Sequence, residues 1–388
     1  MWTFLNSGRH HATRLTVLLI IIIIFVAAMS YSAVSYPLTH SASIVAPSEV
    51  DRPIDLLSGE HQAALAKHAR NASLGFGDIV YISMPERTDR QDAMTLLASF
   101  TGISLKLMPG VDGTVVPPKA IPDGAPKDIP PSVLGCFRAH ANAWQYLLQT
   151  DMDTLLIFED DLDWDPNIKD TMERLSLQMQ NSKIRLQPPS DYERMNAPYG
   201  LDWDVLYVGS HKHGGNPDLK DSAQAWDDPD VPGLKGVGGM GKGGILYALR
   251  LAGLSDFDIE KKRMLTPSYT TEKNTAYAIT RQGAARLLFL LSYIGDLKAG
   301  DVDQDMTRLF IEGRLKGYTL TPPAFSQFKV GGSKDSDNIK VGKTVNGKGN
   351  VKGYSPYLKG SARRLIVDSL KLDNWNDYKK VTGTVTTY

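Results

Sequence analysis

Residues 154–158, Thr-Leu-Leu-Ile-Phe, form an unbroken apolar run that stops abruptly at Glu159, Asp160 and Asp161. A strand without a polar face must be covered on both sides, so it belongs near the centre of a sheet packed between helices. The surrounding sequence agrees. An apolar run at 78–83 leads through Pro85 into a helix-like stretch at 88–101, and runs at 204–208 and 275–280 read as further strands. After Pro130 and Pro131, with Ser132 as the expected N-cap, Val133, Phe137, His140, Trp144 and Leu148 recur at helical spacing. Gln282 and Gly283 lead the last strand into an Ala- and Leu-rich helix. Strands separated by helices imply an α/β fold with a parallel-dominated sheet flanked by helices.

The acids at the end of the central run carry the first functional signal. The chain holds nine Asp-x-Asp spacings, so spacing alone singles out none of them. Position does, because ligands of open α/β sheets bind beyond the carboxyl ends of the strands. Three adjacent carboxylates repel one another unless a cation is present, and hard divalent ions take carboxylate oxygens readily. A Mg²⁺ or Mn²⁺ bridging substrate phosphates fits, with Asp161 as first ligand and Glu159 and Asp160 beside it. A calcium loop starting at Asp161 is excluded, because Pro166 stands where glycine is required and Met172 where the bidentate glutamate belongs. The plainer alternative is that these acids solvate a loop and cap a helix near Asp165 and Pro166. Arg87 and Arg90, in the loop after the first strand, are placed to grip phosphate; their alternative is a surface ion pair with Asp89 or Asp92. His211 and His213 are further candidate metal ligands.

Several short motifs then fall into a recognisable order. The segment 80–90 reads Val-Tyr-Ile-Ser-Met-Pro-Glu-Arg-Thr-Asp-Arg; Val111-Asp112-Gly113 follows, then Gly135 to His140, then Phe158 to Asp161. With Thr275 to Thr280, Gly283-Ala284, Asp303 and the stretch 322–327, they resemble glycosyltransferase family 25, which includes lipopolysaccharide and procollagen galactosyltransferases. The likeness covers about 76–328. It departs from the family at Ser83-Met84 and Glu86-Arg87, where the family has Asn-Leu and paired arginines, and at Ala139-His140, where it has Ser-His.

The resemblance implies a GT-A type, Rossmann-like domain that moves a hexose, galactose favoured, from a UDP-sugar to a glycan or glycoprotein hydroxyl with inversion. It marks Asp112, Gly113 and His140 as donor-site candidates beside Arg87, Arg90, Glu159 and Asp160. An inverting transfer needs a carboxylate to take the acceptor proton, and the match falls on Asp303, with Asp301 next to it; their alternative is N-capping of the helix that follows. A Cys136–His140 nucleophile pair lacks a third member and is set aside. Two other classes stay open: a metal-dependent phosphohydrolase and a catalytically inactive luminal sugar-binding protein.

The ends of the chain are different material. Residues 15–34 are uncharged, and Arg9 and Arg14 precede them. About 20 such residues cross ~30 Å of hydrocarbon, and the positive flank keeps 1–14 cytosolic. The expectation is a single-pass type II protein of the Golgi or ER membrane with its catalytic domain in the lumen; a cleaved signal peptide is the alternative. Residues 35–75 read as a stem, with a sequon at Asn71, and 76–328 as the catalytic domain. The stretch 329–364 carries nine Lys or Arg against two Asp and many glycines, and reads as a flexible basic segment. Residues 365–388 regain apolar character as a docking helix and tail. Net charge is zero, which leaves no chain-wide field for nucleic acid. The single cysteine excludes an internal disulfide.

Overall fold

The computed structural model describes residues 58–185, 187–209, 222–233, 260–328, 335–337 and 357–371, with a short strand at 212–214 and isolated positions at 216, 246, 250 and 253–255. The expected tail and membrane span, the stem before 58, most of the basic segment and everything after 371 lie outside the described residues, as do His211 and the His213 side chain. Among the described residues no helix is long and apolar enough to cross a membrane.

The chain begins with helix α1 (Gly59–Lys67), strand β1 (Asp78–Ser83), helix α2 (Thr88–Thr101), strand β2 (Lys106–Pro109) and helix α3 (Pro131–Leu148). Strands β3 (Thr154–Glu159) and β4 (Leu162–Trp164) precede helices α4 (Ile168–Gln180) and α5 (Asp191–Asn196). Then come strands β5 (Val205–Tyr207), β6 (Lys212–Gly214), β7 (Gln224–Asp227), β8 (Lys262–Pro267), β9 (Thr270–Glu272) and β10 (Ala276–Thr280). Helices α6 (Arg281–Leu287) and α7 (Val302–Ile311), strands β11 (Gly317–Thr321) and β12 (Phe325–Gln327), and helix α8 (Ala362–Ser369) complete the order.

Eight strands form the central sheet in the order β2-β1-β3-β10-β5-β11-β8-β7. Strand β3 is buried along its apolar length, and its side chains alternate between two layers: Leu156 and Phe158 enter one with α2 and α4, Leu155 and Ile157 the other with α3, α6 and α7. This is the sandwich that the unbroken apolar run demanded. Helix α3 starts two residues earlier than expected, at Pro131, with Pro130 rather than Ser132 at the N-cap and no side-chain cap; proline at the first helical position gives up only an amide that has no partner there anyway.

Six of the eight strands run one way, but β8 and β10 run against them. The sheet is therefore mixed, mostly parallel in strand direction. The strand read at 275–280 is antiparallel to both neighbours, β3 and β5. Because β10 pairs Ala276 with Phe158, its amino end lies at the carboxyl end of β3. That reversal delivers residues 273–275 to the place where ligands bind.

The stretch assigned to the stem contains α1, whose Leu65 and Ala66 are buried and which packs on α4. At the other end α8 docks by its first residues: Ser361 caps it and donates to Asp163 Oδ2 at 2.5 Å, while the Gly360 amide donates to Asp165 Oδ2 at 2.5 Å.

Candidate active site

A cleft of about 870 Å³ opens at the carboxyl ends of β1 and β3, walled by the amino ends of α3 and α7 and by Lys273 and Asn274. Of the residues singled out in the sequence, Arg90, Asp112, Gly113, His140, Glu159, Asp160, Asp161, Asp301 and Asp303 line it. Arg87 does not. It sits at the N-cap of α2 and pairs with Asp89 at 2.9 Å, Asp335 at 2.9 Å and Asp337 at 2.6 Å. Arg90, one helical turn on, points inward and donates to Asp160 Oδ1 at 2.5 Å and to the Asp335 carbonyl.

Each acid at the end of β3 has its own setting. Asp160 is saturated, since the buried Ser83 hydroxyl donates to its second oxygen at 2.6 Å. Asp161 accepts from Gln327 Nε2 at 2.9 Å, and its carbonyl accepts the Phe328 amide at 2.6 Å. Glu159 turns its side chain into the cleft, and its amide donates to Thr275 O at 3.0 Å. Asp163 and Asp165 face away and hold the start of α8; Asp165 also accepts the Asn167 amide ahead of α4. Loop solvation and capping thus describe the far half of the acidic run only. No group of three or more His, Cys, Asp or Glu side chains placed to hold a metal occurs among the described residues.

His140 is buried on α3 at the cleft floor, where burial lowers its pKa to about 4 and keeps it neutral. Its Nδ1 lies 2.9 Å from Tyr277 Oη, which accepts the Trp144 indole N–H at 2.9 Å. Its Nε2 faces Glu159, 4.0 Å away. Burial, with the negative charge of Glu159, Asp303 and Asp301, pushes the Cys136 thiol up and removes it as a nucleophile.

Gly113 serves close packing. A Cβ there would lie 1.7 Å from Pro131 O, so only glycine lets this loop rest on the start of α3. Asp112 accepts the Thr114 amide at 2.8 Å and turns the loop toward the cleft.

On the opposite wall the three acids of α7 divide their work. Asp305, fully buried, accepts the amides of Lys298, Ala299 and Gly300 and so secures the approach to the helix. Asp301 occupies the N-cap without a side-chain capping bond. Asp303 accepts from the Lys273 amide at 2.9 Å and the Gln304 amide at 2.8 Å. Burial raises its pKa against those two bonds, and Asp301 and Glu272 add to the rise. Ser83, Lys273, Tyr277 and Gln327 had no assigned role in the sequence reading. Their partners are remote in the chain, so no local pattern marks them.

Residues 78–194 match the model of "Glycosyltransferase family 25 (LPS biosynthesis protein)". That match covers under a third of the chain. Relatives in family 25 include an "Inactive glycosyltransferase 25 family member 3" of Homo sapiens, 26% identical over 47% of this chain and 29% of its own length. "Procollagen galactosyltransferase 1" of Danio rerio is 24% identical over 35% of this chain and 22% of its own length. A "Glycosyltransferase 25 family member" of Aedes aegypti is 23% identical over 48% and 34%. The chain spans about a third or less of these family 25 relatives, whose names cover both active and inactive members.

Proposed function

We propose that the chain is an inverting, nucleotide-sugar-dependent glycosyltransferase that moves a hexose from a UDP-sugar to a hydroxyl of a glycan or glycoprotein. The carrying observation is that two acidic groups of different character face each other across one cleft: Glu159 to Asp161 at the end of β3, and Asp303 at the start of α7. Galactose is favoured by the names of the procollagen relatives. The domain is of GT-A type, and the uncharged stretch 15–34 supports a type II anchor that places it in the Golgi or ER lumen.

The chemistry divides between the walls. Asp303 takes the proton of the acceptor hydroxyl as its oxygen attacks the anomeric carbon and the bond to the diphosphate breaks. The raised pKa makes Asp303 a stronger base whenever it is ionised. Arg90 stands where the leaving diphosphate gathers charge. Among the described residues eight carboxylates and two cationic side chains line the cleft, an excess of negative charge that a cation accompanying the nucleotide diphosphate would offset. Asp161 and Glu159 would hold a Mn²⁺ or Mg²⁺, whose contribution when bound is to offset the charge on the leaving group. Two protein carboxylates suit such an ion, because it completes its shell from phosphate oxygens and water. His140 keeps a neutral imidazole beneath Glu159.

Incubation of the full chain with UDP-sugars and candidate acceptors, with and without Mn²⁺, tests this reading. Transfer that needs an acceptor and yields UDP supports it. The relatives named inactive favour a second reading, a sugar-binding protein without chemistry, in which the nucleotide sugar binds but no UDP is released. Release of inorganic phosphate without sugar transfer would instead point to a phosphohydrolase.

A further inference from the structure

Lys273 lies between β9 and β10, and it is a non-glycine residue in the left-handed region, with φ at +66°. Such a conformation is strained for a residue with a Cβ and persists where the surroundings hold it, often at functional sites. Here both ends of the residue are engaged at the cleft. Its amide donates to Asp303 Oδ2 at 2.9 Å, and its ammonium donates to Gln327 Oε1 at 2.7 Å. An ammonium can only donate, so the Gln327 carbonyl must face it. That sets the amide group the other way, with Nε2 donating to Asp161 Oδ2 at 2.9 Å.

The two residues that follow anchor this turn. Asn274 is buried and accepts from the Tyr207 hydroxyl at 3.0 Å, while the Thr275 carbonyl accepts the Glu159 amide at 3.0 Å. The turn is thus tied to β5, to the end of β3 and to α7, and it joins the walls on which the two acidic groups stand.

We propose that Lys273 is a positioning residue that fixes both walls at once: its main chain orients Asp303, and its side chain, through Gln327, orients Asp161. The kinetic consequence rests on the transferase reading above; the geometric coupling does not. Without the ammonium, Gln327 can turn its carbonyl toward Asp161, replacing a donor by a second negative end and disturbing the side of the cleft that takes the diphosphate.

Two measurements on the full chain test the proposal separately from the transferase reading. The first uses amide hydrogen exchange. Asp303→Ala should reduce protection of the Lys273 amide by at least about tenfold, the scale of a lost bond to a charged acceptor; unchanged protection overturns the coupling whatever the enzyme does.

The second is kinetic. Lys273→Gly keeps the amide, relieves the positive φ and removes the ammonium. It should leave the melting temperature unchanged or raised, leave the acidic limb of the kcat profile in place, and raise KM for the nucleotide sugar by about tenfold or more. Gln327→Leu should do the same, the double variant should be no worse than either single, and Lys273→Arg should recover much of the loss. A KM within twofold of wild type in Lys273→Gly, or additive effects in the double variant, rejects the positioning role. If wild type turns over no nucleotide sugar, the transferase reading fails and the exchange result alone decides the coupling.

Discussion

Two acidic pairs in this chain have nearly the same local sequence character and opposite surroundings. Asp228 and Asp230 are buried, and the protein supplies their counter-charges: Arg263 donates to Asp228 at 2.6 Å, and Arg174 reaches Asp228 at 2.9 Å and also Asp230. Arg263 is itself completed by the carbonyls of Pro322 and Pro323. Asp160 and Asp161 are also buried, and Arg90 pairs with Asp160, yet among the described residues the cleft they border carries eight carboxylates against two cationic side chains. An acidic cluster is informative when its carboxylates outnumber the cations that meet it, and uninformative when arginines already balance it. The pKa shifts make the same contrast. Arg263 and Arg174 hold Asp228 below the ordinary carboxylate range despite burial, whereas burial dominates at Asp303 and raises it.

The sharpest break should come at the proposed base. Asp303→Asn should lower turnover by roughly 10²- to 10⁴-fold with donor affinity kept. In wild type, activity should fall as pH drops through the raised pKa of Asp303, and the variant should lose that acidic limb. The groups facing Asp303 are Asp301 on its own helix, Glu272 and Lys273 from the β9 end, Cys136 from α3 and Tyr207 from β5. Since ionising a carboxylate of raised pKa disfavours the folded state, Asp303→Asn should also hold or raise the melting temperature near neutral pH. A drop in melting temperature with unchanged single-turnover rate would return Asp303 to helix capping.

At the acidic strand end, Asp161→Asn should cost at least ~10²-fold in turnover and abolish any response to Mn²⁺. Asp228→Asn should do the reverse. Breaking a buried ion pair from one side costs about 3–5 kcal/mol of stability, while turnover per folded molecule should change little. The stability that Asp228 contributes is present above its unfolded pKa, near 3.9, and is lost as pH falls through its lowered folded value. Unfolding curves at several pH values, run beside rate measurements on the same preparations, would collapse the comparison if both variants lost activity and stability together.

The smallest effect separates two arginines. Arg87→Ala should cost at most about 1 kcal/mol of stability, because Asp89 and Asp337 are exposed partners. Arg90→Ala should weaken nucleotide-sugar binding far more. Equal effects on donor KM would put Arg87 back in the site.

The sequence made the central strand legible because burial on both faces leaves an unbroken apolar run, and it made Glu159 to Asp161 legible because they follow that run directly. It also held the ordered motifs of family 25. It could not show that β10 runs backward, since an apolar run has no direction, and this reversal is what brings Lys273 to the cleft. Nor could it divide the labour among Asp301, Asp303 and Asp305, or separate Arg87 from Arg90, because such differences arise from rotation by a fraction of a helical turn. Asp335 and Asp337 read as the minority charge of a basic tail. Their carboxylates instead meet Arg87 and Arg90 at the rim.

The bond from Ser361 to Asp163 spans 198 positions of chain. At about 5–20 residues per second, a ribosome would expose Asp163 on the order of 10–40 s before its partner emerges. During that interval β4 waits without its latch and without β12, its antiparallel partner, while residues 275–327 with their later motifs are still being made. A version ending at residue 328 would keep every motif of the resemblance and still lack the residues that hold Asp163 and Asp165. A serine well beyond the last recognisable motif therefore completes the surroundings of Asp163, and that contact forms only after Ser361 has cleared the exit tunnel.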